Sequence, residues 1–154
     1  MQVNNNGTLS NQVIIPAART SPAVYSYPDA QSPNRAIILH TDGVTLVTPT
    51  NGAKPGEVVV IYATGLGALN PAVASGAGNP SSPPLARVTD PQVQVLFGGE
   101  PATNVLFIGG APNFAGLNQI NVTIPATAPT GTNIPVAIST TNAYTDLTDV
   151  TITF

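Results

Sequence analysis

The stretch that decides the fold runs Ala36-Ile37-Ile38-Leu39-His40, then Thr41-Asp42-Gly43, then Val44-Thr45-Leu46-Val47. Two apolar, β-branched runs flank an Asp-Gly pair, and glycine accepts the positive φ that closes a tight turn. A β-hairpin is expected here. The same grammar repeats on both sides. Asn51-Gly52 and Pro55-Gly56 mark turns before Glu57-Val58-Val59-Val60-Ile61-Tyr62-Ala63-Thr64, a run apolar on both faces and so a candidate central strand. Gln92 to Phe97 alternates, turns at Gly98-Gly99-Glu100-Pro101, and is read as returning along Asn104 to Ile108. Leu117 to Ile124 and Ile134 to Thr140 follow across a Pro/Gly-rich link, and Val150 to Phe154 closes the chain. Upstream, Ala23 to Tyr27 is a short candidate strand. Residues 1–20 hold a further strand or hairpin, with Val13-Ile14-Ile15 as its apolar segment and Pro16 ending it.

Roughly nine or ten short strands with turn chemistry between them, and no helical period of useful length, predict an all-β fold. The sequence distance between candidate partners favours an immunoglobulin-like antiparallel β-sandwich with Greek-key connections over a barrel. The expected organisation is an N-terminal strand segment over residues 1–20 and the sandwich over 21–154. From Gly65 to Asp90 the chain is punctuated by Pro71, Pro80, Pro83 and Pro84, with Pro91 just beyond. It reads as one long loop without structure of its own. A loop of that length is the expected seat of function or mobility, referred to below as the 65–91 loop.

Composition narrows the classes. With 154 residues, 42% of them hydrophobic, one domain has enough apolar side chain to bury a core without metals or disulfides. Charged residues are only 7% and the net charge is −3, so the basic stripe that phosphate contacts require is absent and nucleic acid is not an expected partner. The chain has no cysteine, which removes thiol nucleophiles and thiolate metal sites. No apolar stretch approaches the roughly 20 residues of a spanning helix, so no membrane insertion is expected. Met1-Gln2-Val3-Asn4-Asn5-Asn6-Gly7 has neither the charged nor the apolar region of a secretory leader. If the parent protein is secreted, this chain is expected to be a piece of it.

The residues that carry chemistry elsewhere are sparse here. Gly65-x-Gly67 after an apolar strand suggests a dinucleotide turn, but Asn70-Pro71 and the Pro/Gly/Ser run behind it cannot form the helix that motif needs. His40 is the only histidine, so a zinc site lacks ligands and a structural role is expected. The carboxylates Asp29, Asp42, Glu57, Asp90, Glu100, Asp146 and Asp149 match no catalytic signature, although glycosidase chemistry needs only two of them facing across a cleft. Asp146-x-x-Asp149 gives the candidate calcium ligands, Asp146 and Asp149, without the dense Asp/Asn/Gly spacing of a dedicated loop. Lys54, the sole lysine, sits before a candidate core strand, where some bacterial surface domains form isopeptide crosslinks. Its place before Pro55-Gly56 favours an exposed turn. Tyr25, Tyr27, Tyr62 and Tyr144 with no tryptophan offer few flat platforms for sugars, while Asn- and Thr-rich loops offer hydrogen bonds. No cofactor is expected.

Gly56-Glu57-Val58-Val59-Val60-Ile61-Tyr62-Ala63-Thr64-Gly65-Leu66-Gly67 resembles the opening of the Solibacter-type C-terminal domain family of large secreted acidobacterial proteins. Phe97-Gly98-Gly99-Glu100-Pro101-Ala102, Val105 to Gly109 with Ala111-Pro112, and Gly116 to Val122 extend the likeness. These pieces are also similar to the wider TIG/IPT class of immunoglobulin-like repeats. The resemblance covers about residues 21–154 and implies a sandwich in a secreted or cell-surface setting. It transfers no functional residue. Residues 3–18 look like the last strands of a preceding repeat. The expected function is therefore a non-catalytic structural or interaction module, partnered by neighbouring domains or by other copies through an edge strand. Two other roles stay open: a carbohydrate-binding or adhesin-like domain using the 65–91 loop, with a glycan as ligand, and a fibre subunit that donates residues 1–16 to a neighbouring copy.

Overall fold

The computed structural model describes residues 1–142 and 148–153. Its strands, in chain order, are β1 (Asn4–Asn5), β2 (Thr8–Leu9), β3 (Ala23–Val24), β4 (Ser26–Tyr27), β5 (Arg35–Ala36), β6 (Ile38–Leu39), β7 (Val58–Thr64) and β8 (Leu69–Asn70). Then come β9 (Arg87–Val88), β10 (Gln94–Phe97), β11 (Glu100–Pro101), β12 (Val105–Gly110), β13 (Asn118–Thr123), β14 (Gly131–Ser139) and β15 (Thr148–Ile152). Two sheets face each other. The first runs β3-β7-β13-β12-β9-β8 with β6 also on β7, and the second runs β11-β10-β14-β15-β5-β4. The non-consecutive neighbours make this an immunoglobulin-like sandwich with Greek-key crossings.

Alternation fills the space between the sheets. Val59, Ile61 and Ala63 of β7 and Ile120 and Val122 of β13 point inward from the first sheet. They meet Val95 and Phe97 of β10, Val136 and Ile138 of β14, and Val150 and Ile152 of β15. All of these are almost wholly buried, and each large one contributes about 1.5–3 kcal/mol over an exposed position. Val60, on the other face of β7, is also buried, so the run apolar on both faces is a central strand.

The hairpin at 36–47 forms as its sequence dictates. Val47 N donates to Ile38 O at 2.9 Å and His40 N to Thr45 O at 2.8 Å, around Gly43 at φ 70°. Asp42 Oδ1 accepts from the backbone N–H groups of Val44 and Thr45, both at 2.9 Å, and so braces the turn.

Three expectations are corrected. First, Ala23 to Tyr27 is not one strand. The chain lies along β7 as far as Tyr25, whose N donates to Tyr62 O at 3.0 Å, and rejoins that line at Ile37. Between them residues 26–36 cross to the other sheet, where β4 pairs with β5 and β5 lies parallel to β15. Second, residues 92–97 and 104–108 do not pair. The Gly98-Gly99 turn closes only the short β10/β11 hairpin, after which the chain changes sheets and β12 pairs with β13 and β9. Third, the 65–91 loop has structure of its own. β8 and β9 extend the first sheet, and Leu66 and Ala86 are fully buried. The buried Asn79 amide donates to the carbonyls of Ala111 (3.0 Å), Phe114 (2.6 Å) and Leu117 (3.3 Å), pinning the middle of the segment to the turn after β12.

Residues 1–13 form a hairpin of their own, β1 against β2 about Asn6-Gly7, both with positive φ. Val13 belongs to its second arm and bonds Met1, whereas Ile14, expected in a strand, is 98% exposed. Residues 1–19 are exposed throughout.

Candidate functional site

Four separated segments meet at one end of the sandwich: Arg19-Thr20 before β3, Gly67-Ala68 after β7, Thr89-Asp90-Pro91 before β10, and Thr141-Asn142 after β14. They enclose an open cleft of about 600 Å³. In immunoglobulin-like sandwiches the loops between strands cluster at the two ends, and these segments form one of them.

The cleft is held from below by the segment that leads into β3. Ser21 N donates to Gly65 O at 2.9 Å, and the buried hydroxyls of Thr20 and Thr140 lie 2.8 Å apart. Gly65 and Gly67, at φ 74° and 95°, permit that approach. A Cβ on Gly65 would stand 1.9 Å from the Ser21 carbonyl oxygen. The glycines that invited a phosphate-loop reading are thus occupied by the chain's own backbone, and a strand rather than a helix follows them.

Asp90 is fixed within the wall. Its Oδ1 accepts from Gln92 N (2.9 Å) and Thr141 Oγ1 (2.7 Å), and its Oδ2 from Thr141 N (3.3 Å). The Gln92 N–H, then the Thr141 hydroxyl, hold the carboxyl below its ordinary pKa, so it stays an ionised acceptor. Among the described residues Asp29–Arg35 is an ion pair and His40–Glu57 a close side-chain contact, and no other oppositely charged pair meets. Arg19 and Asp90 therefore share the cleft without closing on each other.

The other sequence candidates lie elsewhere. His40 Nδ1 is 2.7 Å from Glu57 Oε1, and Glu57 Oε2 also accepts from Lys54 N at 2.9 Å, a contact that ties the hairpin to the start of β7. Lys54 is exposed, whereas an isopeptide crosslink needs its amine buried beside an acid. Asp42 serves its turn, and Glu100 Oε2 accepts from Thr127 Oγ1 at 3.2 Å. Of the calcium candidates, Asp146 lies outside the described residues, as does Tyr144. Asp149 Oδ2 accepts from Ser32 Oγ at 2.5 Å. Among the described residues no three His, Asp or Glu side chains gather as metal ligands. No helix there is long and apolar enough to cross a membrane.

The sequence reading passed over Arg35, the bulkiest fully buried side chain among the described residues. Its Nε donates to Asp29 Oδ2 at 2.6 Å, its Nη1 to Thr132 O at 2.5 Å, and its Nη2 to Asn133 Oδ1 at 3.1 Å. That guanidinium, followed by the N–H groups of Gln31 and Ser32, lowers the Asp29 pKa from 3.8 to about 2. The cluster fastens the 26–36 excursion to β14 and β15 and is structural. A lone arginine beside an apolar run carries no sequence signal for such burial.

Fold and site together define an immunoglobulin-like β-sandwich with a cleft of mixed polar and apolar lining at one end. No family model, curated protein or solved structure matches the chain.

Proposed function

We propose that this chain is a non-catalytic structural and interaction module of a secreted or cell-surface bacterial protein, joined to a neighbouring β-domain of that protein through its N-terminal hairpin. The hairpin carries the reading. Among the described residues its hydrogen bonds stay within residues 1–13. Met1, Val3, Leu9 and Val13, with Ile14 and Ile15 behind them, are all more than half exposed. Two strands so short are marginal alone, and exposed apolar side chains on and beside them favour a covering partner. The sandwich, by contrast, is self-sufficient: no buried side-chain N or O among the described residues lacks a hydrogen-bond partner.

The test compares the full chain with one lacking residues 1–16, by chemical denaturation, amide exchange and light scattering. The reading expects an unfolding free energy unchanged to within about 0.5 kcal/mol, as for loss of surface residues that pack on nothing. It also expects rapid exchange at residues 1–13 in the isolated chain. A loss of more than about 2 kcal/mol would show that the hairpin packs on its own sandwich and would sink the reading. Self-association that depends on residues 1–16 would replace the neighbouring domain with a second copy, which is the fibre arrangement.

A further inference from the structure

We propose that the cleft at 19–20, 67–68, 89–91 and 141–142 binds a neutral saccharide of one or two rings. This goes beyond the hairpin reading and does not depend on it. At about 600 Å³ the cleft lies within the usual range for small-ligand sites. Its chemistry is mixed in a way that suits hydroxyl groups, which donate and accept at once. Asp90 offers a fixed acceptor, Arg19 and Asn142 offer donors, and Thr89 and Thr141, whose hydroxyl protons go to Ala68 O and Asp90 Oδ1, offer acceptor oxygens. Among the described lining residues, one positive and one negative side chain favour neither an anion nor a cation. A sugar diol satisfies both, accepting from Arg19 and donating to Asp90.

Preorganisation supports the same choice. Three hydrogen bonds already hold the Asp90 carboxylate, so little ordering entropy is lost when a ligand arrives. Pro91 and Ala68 provide the apolar wall for a ring face in place of an aromatic platform. Without a stacked aromatic ring the expected affinity is weak, in the millimolar range.

The experiment titrates the isotopically labelled full chain with the methyl glycosides of glucose, galactose, mannose and N-acetylglucosamine, with cellobiose and maltose, and with sialic acid and acetate as anionic controls. The expected result is that at least one neutral sugar shifts the amides of Ala68, Thr89, Asp90 and Thr141, and the anions do not. Asp90→Asn should weaken that binding about tenfold or more, the effect of removing a charged hydrogen-bond partner. Arg19→Ala, an exposed change that leaves the sandwich intact, should weaken it about threefold to tenfold. The proposal is overturned if no neutral sugar of the panel moves these amides, if the shifts map elsewhere, or if the anions alone produce them. None of these results touches the hairpin reading, which is decided by truncation of residues 1–16.

Discussion

Replacing Arg35 with methionine tests the account of how the 26–36 excursion is held. Methionine keeps an unbranched apolar stem but loses the hydrogen bonds to Asp29, Thr132 O, Asn133 Oδ1 and the Thr151 hydroxyl. Breaking a buried pair by removing one partner costs about 3–5 kcal/mol. The lower end applies here, because Asp29 reaches solvent and keeps the N–H groups of Gln31 and Ser32, and Thr132 O still accepts from Thr151 Oγ1 at 3.0 Å. At about 3 °C per kcal/mol for a domain of this size, the midpoint should fall by about 10 °C. Urea denaturation gives the free energy, and amide exchange shows where it is lost. Residues 26–36 should lose protection first, ahead of β7 and β13.

The acid limb supplies an independent check on the same pair. Asp29 has a folded pKa of about 2 against an ordinary 3.8. A depressed carboxylate stabilises the fold above its unfolded pKa, and that contribution disappears as pH falls from about 4 to about 2. In Arg35→Met the main cause of the shift is gone, so the part of the acid sensitivity due to Asp29 should shrink. A variant that loses less than about 1 kcal/mol and keeps the wild-type acid limb would refute the buried-anchor account.

Other perturbations probe the remaining devices. Gly65→Ala places a Cβ against the Ser21 carbonyl at a φ of 74°, and should cost at least about 2 kcal/mol while perturbing the amides of Thr20 and Ser21 in NMR spectra. Asn79→Ala removes the amide that feeds the carbonyls of Ala111, Phe114 and Leu117; a loss of about 1–3 kcal/mol and faster proteolysis within residues 72–85 are expected. Asp42 also has a pKa lowered to about 2, first by the Thr45 hydroxyl and then by the N–H groups of Thr45 and Val44. Its contribution is present above pH 4 and lost toward pH 2, so Asp42→Ala should flatten that part of the acid limb additively with Arg35→Met.

What could be read from the sequence was what local chemistry settles. Asp42-Gly43 fixed the expectation of a hairpin because its turn bonds span a few residues; β7 and β15 follow from apolar runs buried on both faces, and β13 and β14 from apolar positions that alternate toward the core. The detour at 26–36 was not legible, since it depends on β5 meeting β15 and on hydrogen bonds from Arg35 that span as many as 116 positions. The 92–108 segment misled for a related reason. Gly98-Gly99 announces a turn, but nothing in Asn104 to Ile108 says which sheet the next strand joins. In the 65–91 loop, proline and glycine mask strands only two residues long, and the anchoring role of Asn79 depends on carbonyls more than thirty positions away. The cleft is drawn from four segments, so no single window of sequence contains it.

Gly65 and Gly67 show how one sequence feature supports two readings until distances decide between them. Glycines after a strand allow backbone to come close to whatever lies opposite, whether a phosphate or another chain segment. Here the opposite partner is Arg19 to Ser21, with the Ser21 carbonyl against Gly65 and the Arg19 carbonyl oxygen and Thr20 Cγ2 within 3.2 Å of a Cβ on Gly67. The close approach builds the floor of the cleft and fixes the point where the exposed tether reaches the sandwich. Arg19 therefore stands at both places, the last exposed residue of the tether and a donor into the cleft. A neighbouring domain docked on the hairpin would lie beside the cleft mouth, because the tether between them is only residues 14–19. At about 3.3 Å per extended residue that tether spans at most about 20 Å, which sets how far the hairpin's partner can stand from a ligand held by Asp90.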